Sequence, residues 1–126
     1  MRNKKLQLEE LSRMDLEEFK NSSKDPIIVI LDNIRSLHNI GSIFRTCDAM
    51  AIDKLYLCGI TATPPHREIR KTAIGASESV SWEYQNNPLD VIKKYKRKGY
   101  QIYAIEQTSN AISLDEFKSN NNKKVL

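Results

Sequence analysis

Residues 27–58 read IIVILDNIRSLHNIGSIFRTCDAMAIDKLYLC, and this stretch decides the fold. Its first end, 27–31, is short and continuously apolar, which is typical of a strand covered on both faces of a parallel sheet, and its other end, 54–58, is a second strand candidate. Between them, Ile40, Phe44 and Cys47 recur at the spacing of one helix face. A strand, a helix and a strand in about 32 residues form a βαβ unit, which is normally parallel and right-handed.

The rest of the chain continues this alternation. We predict further strands over residues 80–84 and 100–105, and a helix over 88–98 that begins at a proline after Asn87 and ends at Gly99. Residues 125–126 resemble a strand that is just starting. The expected fold class is therefore α/β, with the parallel sheet of a Rossmann-like domain.

The first 24 residues differ in pattern from the remainder. Scattered apolar residues among charges predict one or two short amphipathic helices, with Asp15 and Glu18 as a capping box. A polar segment ending at Pro26 then predicts a linker. We expect residues 1–24 to be an N-terminal helical extension and residues 25–126 to be the main domain.

Composition restricts the class of protein. Of the 126 residues, 40% are apolar and 29% charged, as in globular domains, and no apolar run reaches the roughly 18 residues that a membrane span requires. Without a signal-peptide pattern, we expect a cytoplasmic protein with no membrane partner. Cys47 and Cys58 lack metal-ligand spacing, so we expect reduced core cysteines and no metal. The net charge of +4 is compatible with an RNA partner.

The polar residues after the first strand form the best candidate site, because ligands gather at the carboxyl ends of parallel strands. We predict a helix that begins around Asn39, with Asn39 as its cap and Gly41 allowing close approach of a phosphate to the first turn. Arg45 lies one turn farther on and could grip that phosphate. The spacing alone equally fits an ordinary amphipathic helix whose arginine is solvated or pairs with Asp48.

Two stretches resemble the SpoU/TrmH family of RNA methyltransferases, in the SPOUT superfamily. The pattern N-x-R-x-x-x-N-x-G-x-x-x-R-T is similar to the first motif of that family and comprises Asn33, Arg35, Asn39, Gly41, Arg45 and Thr46. Residues 61–84, with Lys71 followed by Thr-Ala-Ile-Gly-Ala, also resemble the family. Together the similarity covers about residues 27–105.

The resemblance implies a function. Members of the family transfer a methyl group from S-adenosylmethionine to the 2′-hydroxyl of a ribose in tRNA or rRNA, as dimers with a C-terminal trefoil knot. Asn39 and Arg45 match residues counted as catalytic in the family. We expect RNA contacts from Arg35, His38, Gly41, Arg67 and Lys71. A loop histidine such as His38 is more often an ordinary polar surface group, and a solvated basic turn explains Arg67 and Lys71 equally well.

Two later motifs of the family, Gly-Asn-Glu and Ser-Leu-Asn-Val-Ser, do not occur in the 126 residues. The knot is therefore expected to be missing, with most of the cofactor site beyond Leu126, no cofactor-binding residue in this chain and no activity of the chain alone. A non-catalytic RNA-binding module of the same fold remains an alternative. A small nucleotide-binding α/β domain is another, although the usual Gly-x-Gly-x-x-Gly pattern is absent.

Two further groups of residues have open interpretations. The lysines and the arginine at residues 93–98 could face RNA. Alternatively, they could simply stabilise the C-terminus of a helix, where cations interact favourably with the helix dipole. Trp82, Tyr84 and Tyr95 could stack on bases or pack in the core.

Overall fold

A parallel sheet of three strands lies at the centre of the molecule. The computed structural model describes residues 3–11, 13–119, 124 and 126, and its strands are β1 (Asp25–Asp32), β2 (Ile52–Cys58) and β3 (Trp82–Gln85), in that order. Val29 lies opposite Leu55, and Leu57 opposite Tyr84. The predicted α/β architecture with a parallel sheet is confirmed, and β3 begins two residues later than the predicted 80–84.

The helices connect these strands. They are α1 (Leu16–Asn21), α2 (Leu37–Ala49), α3 (Arg67–Ala73), α4 (Ala76–Ser79) and α5 (Pro88–Arg97), and a short 3-10 helix covers Leu8–Leu11. The segment α2 joins β1 to β2 and completes the predicted βαβ unit. Asn87 caps α5 by accepting a hydrogen bond from the Leu89 amide at 3.0 Å, so the proline-led start of this helix is also confirmed.

The two faces of the sheet have separate apolar cores, because successive side chains of β2 point to opposite sides. Leu55 and Leu57 pack with α2, α3 and α4, whereas Tyr56 and Cys58 pack with α5. The first core is centred on Phe44, which is fully buried and meets Trp82 edge to face. Helices α2 and α5 therefore lie in different layers.

Both cysteines are buried and neither forms a disulfide, as expected from the sequence. Cys47 belongs to the α2 face of the core and Cys58 to the α5 face. Burial raises the pKa of the Cys47 thiol to about 11, and burial also raises the pKa of Cys58. Both thiols therefore remain neutral at physiological pH and act as small apolar groups.

The strand predicted over 100–105 is wrong. Only Gln101 forms a bridge: its amide donates to the Lys124 carbonyl and its carbonyl accepts from the Leu126 amide, both at 2.7 Å. A strand needs a neighbouring backbone along its whole length. Beyond Gln101, the described residues add one such bond, from the Tyr103 amide to the Leu126 carbonyl at 3.1 Å, and Ile105 is fully exposed. Leu126 is buried against the α5 face, whereas residue 125 of the predicted last strand lies outside the described residues.

The N-terminal segment forms the predicted short helices. Asp15 caps α1, and the reciprocal bonds of the capping box are present: the Asp15 carboxylate accepts from the Glu18 amide at 2.8 Å, and the Glu18 carboxylate accepts from the Asp15 amide at 3.2 Å. Although α1 buries no residue completely, it contacts α4. The division into an extension, 1–24, and a domain, 25–126, stays a prediction.

Candidate functional site

The connection from β1 to α2 holds the first motif at the carboxyl edge of the sheet. Asn33 adopts a left-handed conformation with φ of 53°, and its side-chain oxygen accepts a hydrogen bond from the Ile60 amide at 3.0 Å. Gly59 packs closely against this oxygen: a Cβ added at Gly59 would lie only 2.0 Å from it. The first asparagine of the motif therefore fastens one loop to the next and has no side-chain oxygen pointing free toward a ligand.

Thr61 is a second residue that links the loop after β2 to the connection between β1 and α2, and the sequence did not predict this role. It is 3% exposed, and its hydroxyl accepts from the Ile34 amide at 3.0 Å and donates to the Leu31 carbonyl at 3.1 Å. One buried hydroxyl thus satisfies one backbone group near the end of β1 and another in the loop that carries Arg35. The only signal in the sequence was a threonine soon after a buried strand, which does not reveal a partner 27 residues away.

Thr61→Val should lower the free energy of unfolding by about 2 kcal/mol, because a methyl group of the same shape leaves a buried amide and a buried carbonyl unpaired. Chemical denaturation of the substituted and unaltered chains measures the difference. Thr63→Val is the matched control, since the described structure shows no hydrogen bond from that side chain, and its effect should stay within about 0.5 kcal/mol. Equal stability of the two variants would contradict the role assigned to Thr61.

The predicted cap of α2 is wrong by one turn. The helix begins at Leu37, and the cap is Ser36, whose hydroxyl accepts from the Asn39 amide at 3.1 Å. Asn39 therefore lies inside the first turn, and its backbone N–H donates the hydrogen bond to the cap. Its side chain is exposed and makes no hydrogen bond within the described part of the chain, so the side-chain carboxamide is available to a ligand.

Gly41 does not face a ligand, which corrects the role predicted for it. The residue is buried beneath α3, and a Cβ there would lie 1.9 Å from the Thr72 hydroxyl and 2.3 Å from the Ile69 carbonyl oxygen. The Thr72 hydroxyl also donates to the His38 carbonyl at 2.9 Å. Gly41 therefore allows α2 and α3 to pack closely, and Thr72 of the second family-like stretch bonds directly to the first motif.

Arg45 is exposed on α2, one turn beyond Gly41 and on the side where α3 packs. Asp48, its suggested partner, instead accepts a hydrogen bond from the Ser79 hydroxyl at 2.6 Å. No ion pair of Arg45 occurs in residues 3–11, 13–119, 124 or 126. The arginine therefore remains available to an anion.

The other residues predicted to contact RNA lie at the same end of the molecule. Arg35 and His38 are exposed, in the loop before α2 and in its first turn. Arg67, at the start of α3, lines a shallow depression with Pro65, His66, Arg70 and Lys71. Lys71 also pairs with Glu68 at 3.0 Å, which partly neutralises it.

The structure does not place Asn39 and Arg45 in one line. Six residues at 100° each separate them by about 120° around α2, so they lie at the two borders of its exposed face. Thr46, also exposed, lies on the Asn39 side. The site is therefore a broad polar surface over α2 and the start of α3, and not a cleft that closes around two side chains.

A family model described as the SpoU rRNA Methylase family matches residues 26–126. The chain is 30% identical over 107 residues to a tRNA (guanosine(18)-2′-O)-methyltransferase of Aquifex aeolicus, covering 80% of this chain and 47% of that protein. It is 28% identical over 96 residues to a 23S rRNA (guanosine-2′-O-)-methyltransferase of Haemophilus ducreyi, covering 76% and 39%. The chain thus spans less than half the length of these relatives.

Solved structures agree with these matches. The TrmH/SpoU tRNA modifying enzyme of A. aeolicus superposes with a TM-score of 0.72 and 25% identity, over 87% of this chain and 54% of that one. An AdoMet-bound rRNA methyltransferase from Sinorhizobium meliloti superposes with a TM-score of 0.56 and 26% identity, over 67% and 33%. None of the helices in the described ranges is long and apolar enough to cross a membrane. The match over residues 26–126 places this chain in the SpoU rRNA methylase family.

Proposed function

We propose that this chain forms the RNA-facing part of a ribose 2′-O-methyltransferase that uses S-adenosylmethionine and acts on tRNA or rRNA. The observation that carries the proposal is the exposed face of α2, where Asn39 and Arg45 occupy the family-motif positions and neither has a partner side chain among the described residues. Family membership supplies the reaction class. We further propose a cytoplasmic location and, as the resemblance implies, a homodimer.

The chemistry gives each group a task. A ribose 2′-hydroxyl is a weak nucleophile that gains negative charge as it attacks a methyl group, so a fixed cation beside it lowers the barrier. A guanidinium group is a cation with five donors and no acceptor, and so we assign Arg45 phosphate anchoring and charge stabilisation and not proton removal. The Asn39 amide, at the other border of the exposed face, can donate to a phosphate or ribose oxygen or accept from a hydroxyl.

The basic depression in the described part of the chain does not fit S-adenosylmethionine. A sulfonium cation attached to adenosine needs an enclosed pocket with apolar walls, whereas the depression at Pro65–Lys71 is shallow and rimmed by Arg67, Arg70 and Lys71. Like charges there would repel the cofactor. We therefore propose that the cofactor is held by residues outside these 126 and that the chain alone transfers no methyl group.

The test is a transfer assay on the protein expressed from its complete reading frame, with methyl-tritiated S-adenosylmethionine and total tRNA and rRNA. We expect tritium in dinucleotides that survive alkaline hydrolysis, because a 2′-O-methyl group blocks cleavage of the neighbouring phosphodiester. RNA binding without transfer by that protein would favour the non-catalytic module instead. In parallel, calorimetry of the 126-residue chain with S-adenosylmethionine should show no binding, and tight binding would contradict the cofactor part of the proposal.

A further inference from the structure

Tyr84 differs from the other two aromatic residues of the sheet region that could stack on bases. Tyr95 is buried on the α5 face, and Trp82 is half-buried edge-on to Phe44. Tyr84, near the end of β3, is 43% exposed. Its ring is therefore open to a ligand at the carboxyl edge of the sheet.

The ring is also held in a fixed orientation. The Tyr84 hydroxyl donates to the Gly59 carbonyl at 2.8 Å, and the next residue, Ile60, donates its amide to the Asn33 side chain at 3.0 Å. These bonds connect the tyrosine through the loop after β2 to the first motif. A ring fixed in this way loses little side-chain freedom when a planar group packs on it.

The surroundings of the ring suit a nucleotide. Ile60, one residue after the carbonyl that holds Tyr84, is 62% exposed and enlarges the apolar surface. The same loop leads to Arg67 at the start of α3, and the neighbouring loop carries Arg35, so both cations lie at this edge. Neither arginine forms an ion pair with any other described residue. An open aromatic ring at the same sheet edge as unpaired cations is an arrangement by which proteins hold single-stranded nucleic acid.

We propose that Tyr84 is a stacking platform for an unpaired base of the RNA that this surface binds, an inference that rests on the proposed function and adds the single-stranded character of the substrate. A base within a duplex has both faces covered by its neighbours and has no face to offer the ring. The site would therefore select a loop, a bulge or a flipped nucleotide, and the arginines would hold its phosphates.

The experiment uses a single-stranded decamer of uridylates with one internal 2-aminopurine, whose fluorescence falls when the base stacks. The protein expressed from its complete reading frame is compared with Tyr84→Phe and Tyr84→Leu. Both substitutions remove the hydroxyl and its bond to Gly59, so any effect on the loop is common to both, and only leucine also removes the ring. Tyr103→Leu is the matched control, because Tyr103 is 38% exposed but lies in the segment after α5.

We expect quenching by the unaltered protein and by Tyr84→Phe, and for Tyr84→Leu a loss of quenching with affinity about 10-fold weaker, as for removal of one stacked base. Tyr103→Leu should behave like the unaltered protein, and a fully paired duplex should not distinguish any variant. Equal binding and quenching by the leucine and phenylalanine variants would overturn the stacking proposal and leave the proposed function intact. Failure of the unaltered protein to bind either RNA would overturn both, and a leucine variant that loses self-association but not quenching would show that Tyr84 serves a protein contact.

Discussion

Gly41→Ala should lower the free energy of unfolding by about 3 kcal/mol or more, the upper range for overpacking a tightly filled site. The added methyl group would lie 1.9 Å from the Thr72 hydroxyl and 2.3 Å from a backbone carbonyl oxygen of α3. A side-chain hydroxyl can rotate away, but backbone cannot, so α3 has to move. That movement also breaks the bond of Thr72 to the His38 carbonyl. Thermal unfolding should show a midpoint lower by roughly 10 °C.

Ser42→Ala, the neighbouring position on α2, is the matched control. Its hydroxyl donates only to the His38 carbonyl within the same helix, at 3.0 Å, and such back-bonding contributes little to stability. We expect a change within about 0.5 kcal/mol. If Gly41→Ala unfolded at the same temperature as this control, the close packing of α2 on α3 would be contradicted, and the ligand-approach role first predicted for Gly41 would return.

The features that depend on local periodicity could be predicted from the sequence. The βαβ unit and the start of α5 follow from the spacing of apolar residues and from Asn87 and Pro88, whose effects act within one turn. The cap of α2 shows the limit of such reasoning. Ser36 and Asn39 are both good caps that precede an apolar residue, and only the path of the loop fixed by Asn33 and Thr61 decides between them.

The features that depend on distant partners could not be predicted. Gly41 matches a phosphate-binding turn in sequence, yet its neighbour is α3, some 30 residues along the chain. Thr61 binds backbone groups of the other loop. The apolar pattern of residues 100–105 favours a strand, but a strand also requires a paired neighbour. The segment alone does not show whether such a neighbour is present. In each case tertiary packing decided what local pattern left open.

Arg45→Ala should reduce methyl transfer by the protein expressed from its complete reading frame about 100-fold or more, the usual effect of removing one group that stabilises developing charge. The side chain is exposed on α2, and Asp48, the acid one turn away, is bonded to Ser79 and does not hold it. The loss should therefore come from the missing cation and not from a disturbed fold. Single-turnover rates with saturating cofactor measure it, and unfolding curves should match those of the unaltered protein.

Two comparisons separate the tasks assigned to this arginine. Arg45→Lys keeps the charge but not the paired donors of a guanidinium, so it should recover part of the RNA affinity while remaining slow if bidentate phosphate contact is required. Arg97→Ala removes an exposed cation from α5, on the other layer of the sheet, and should leave the rate unchanged. If S-adenosylmethionine bound equally well to all variants while only Arg45 variants lost transfer, the arginine would act on the RNA. Unchanged turnover of Arg45→Ala would remove it from the site, and the polar face of α2 would then depend on Asn39 alone.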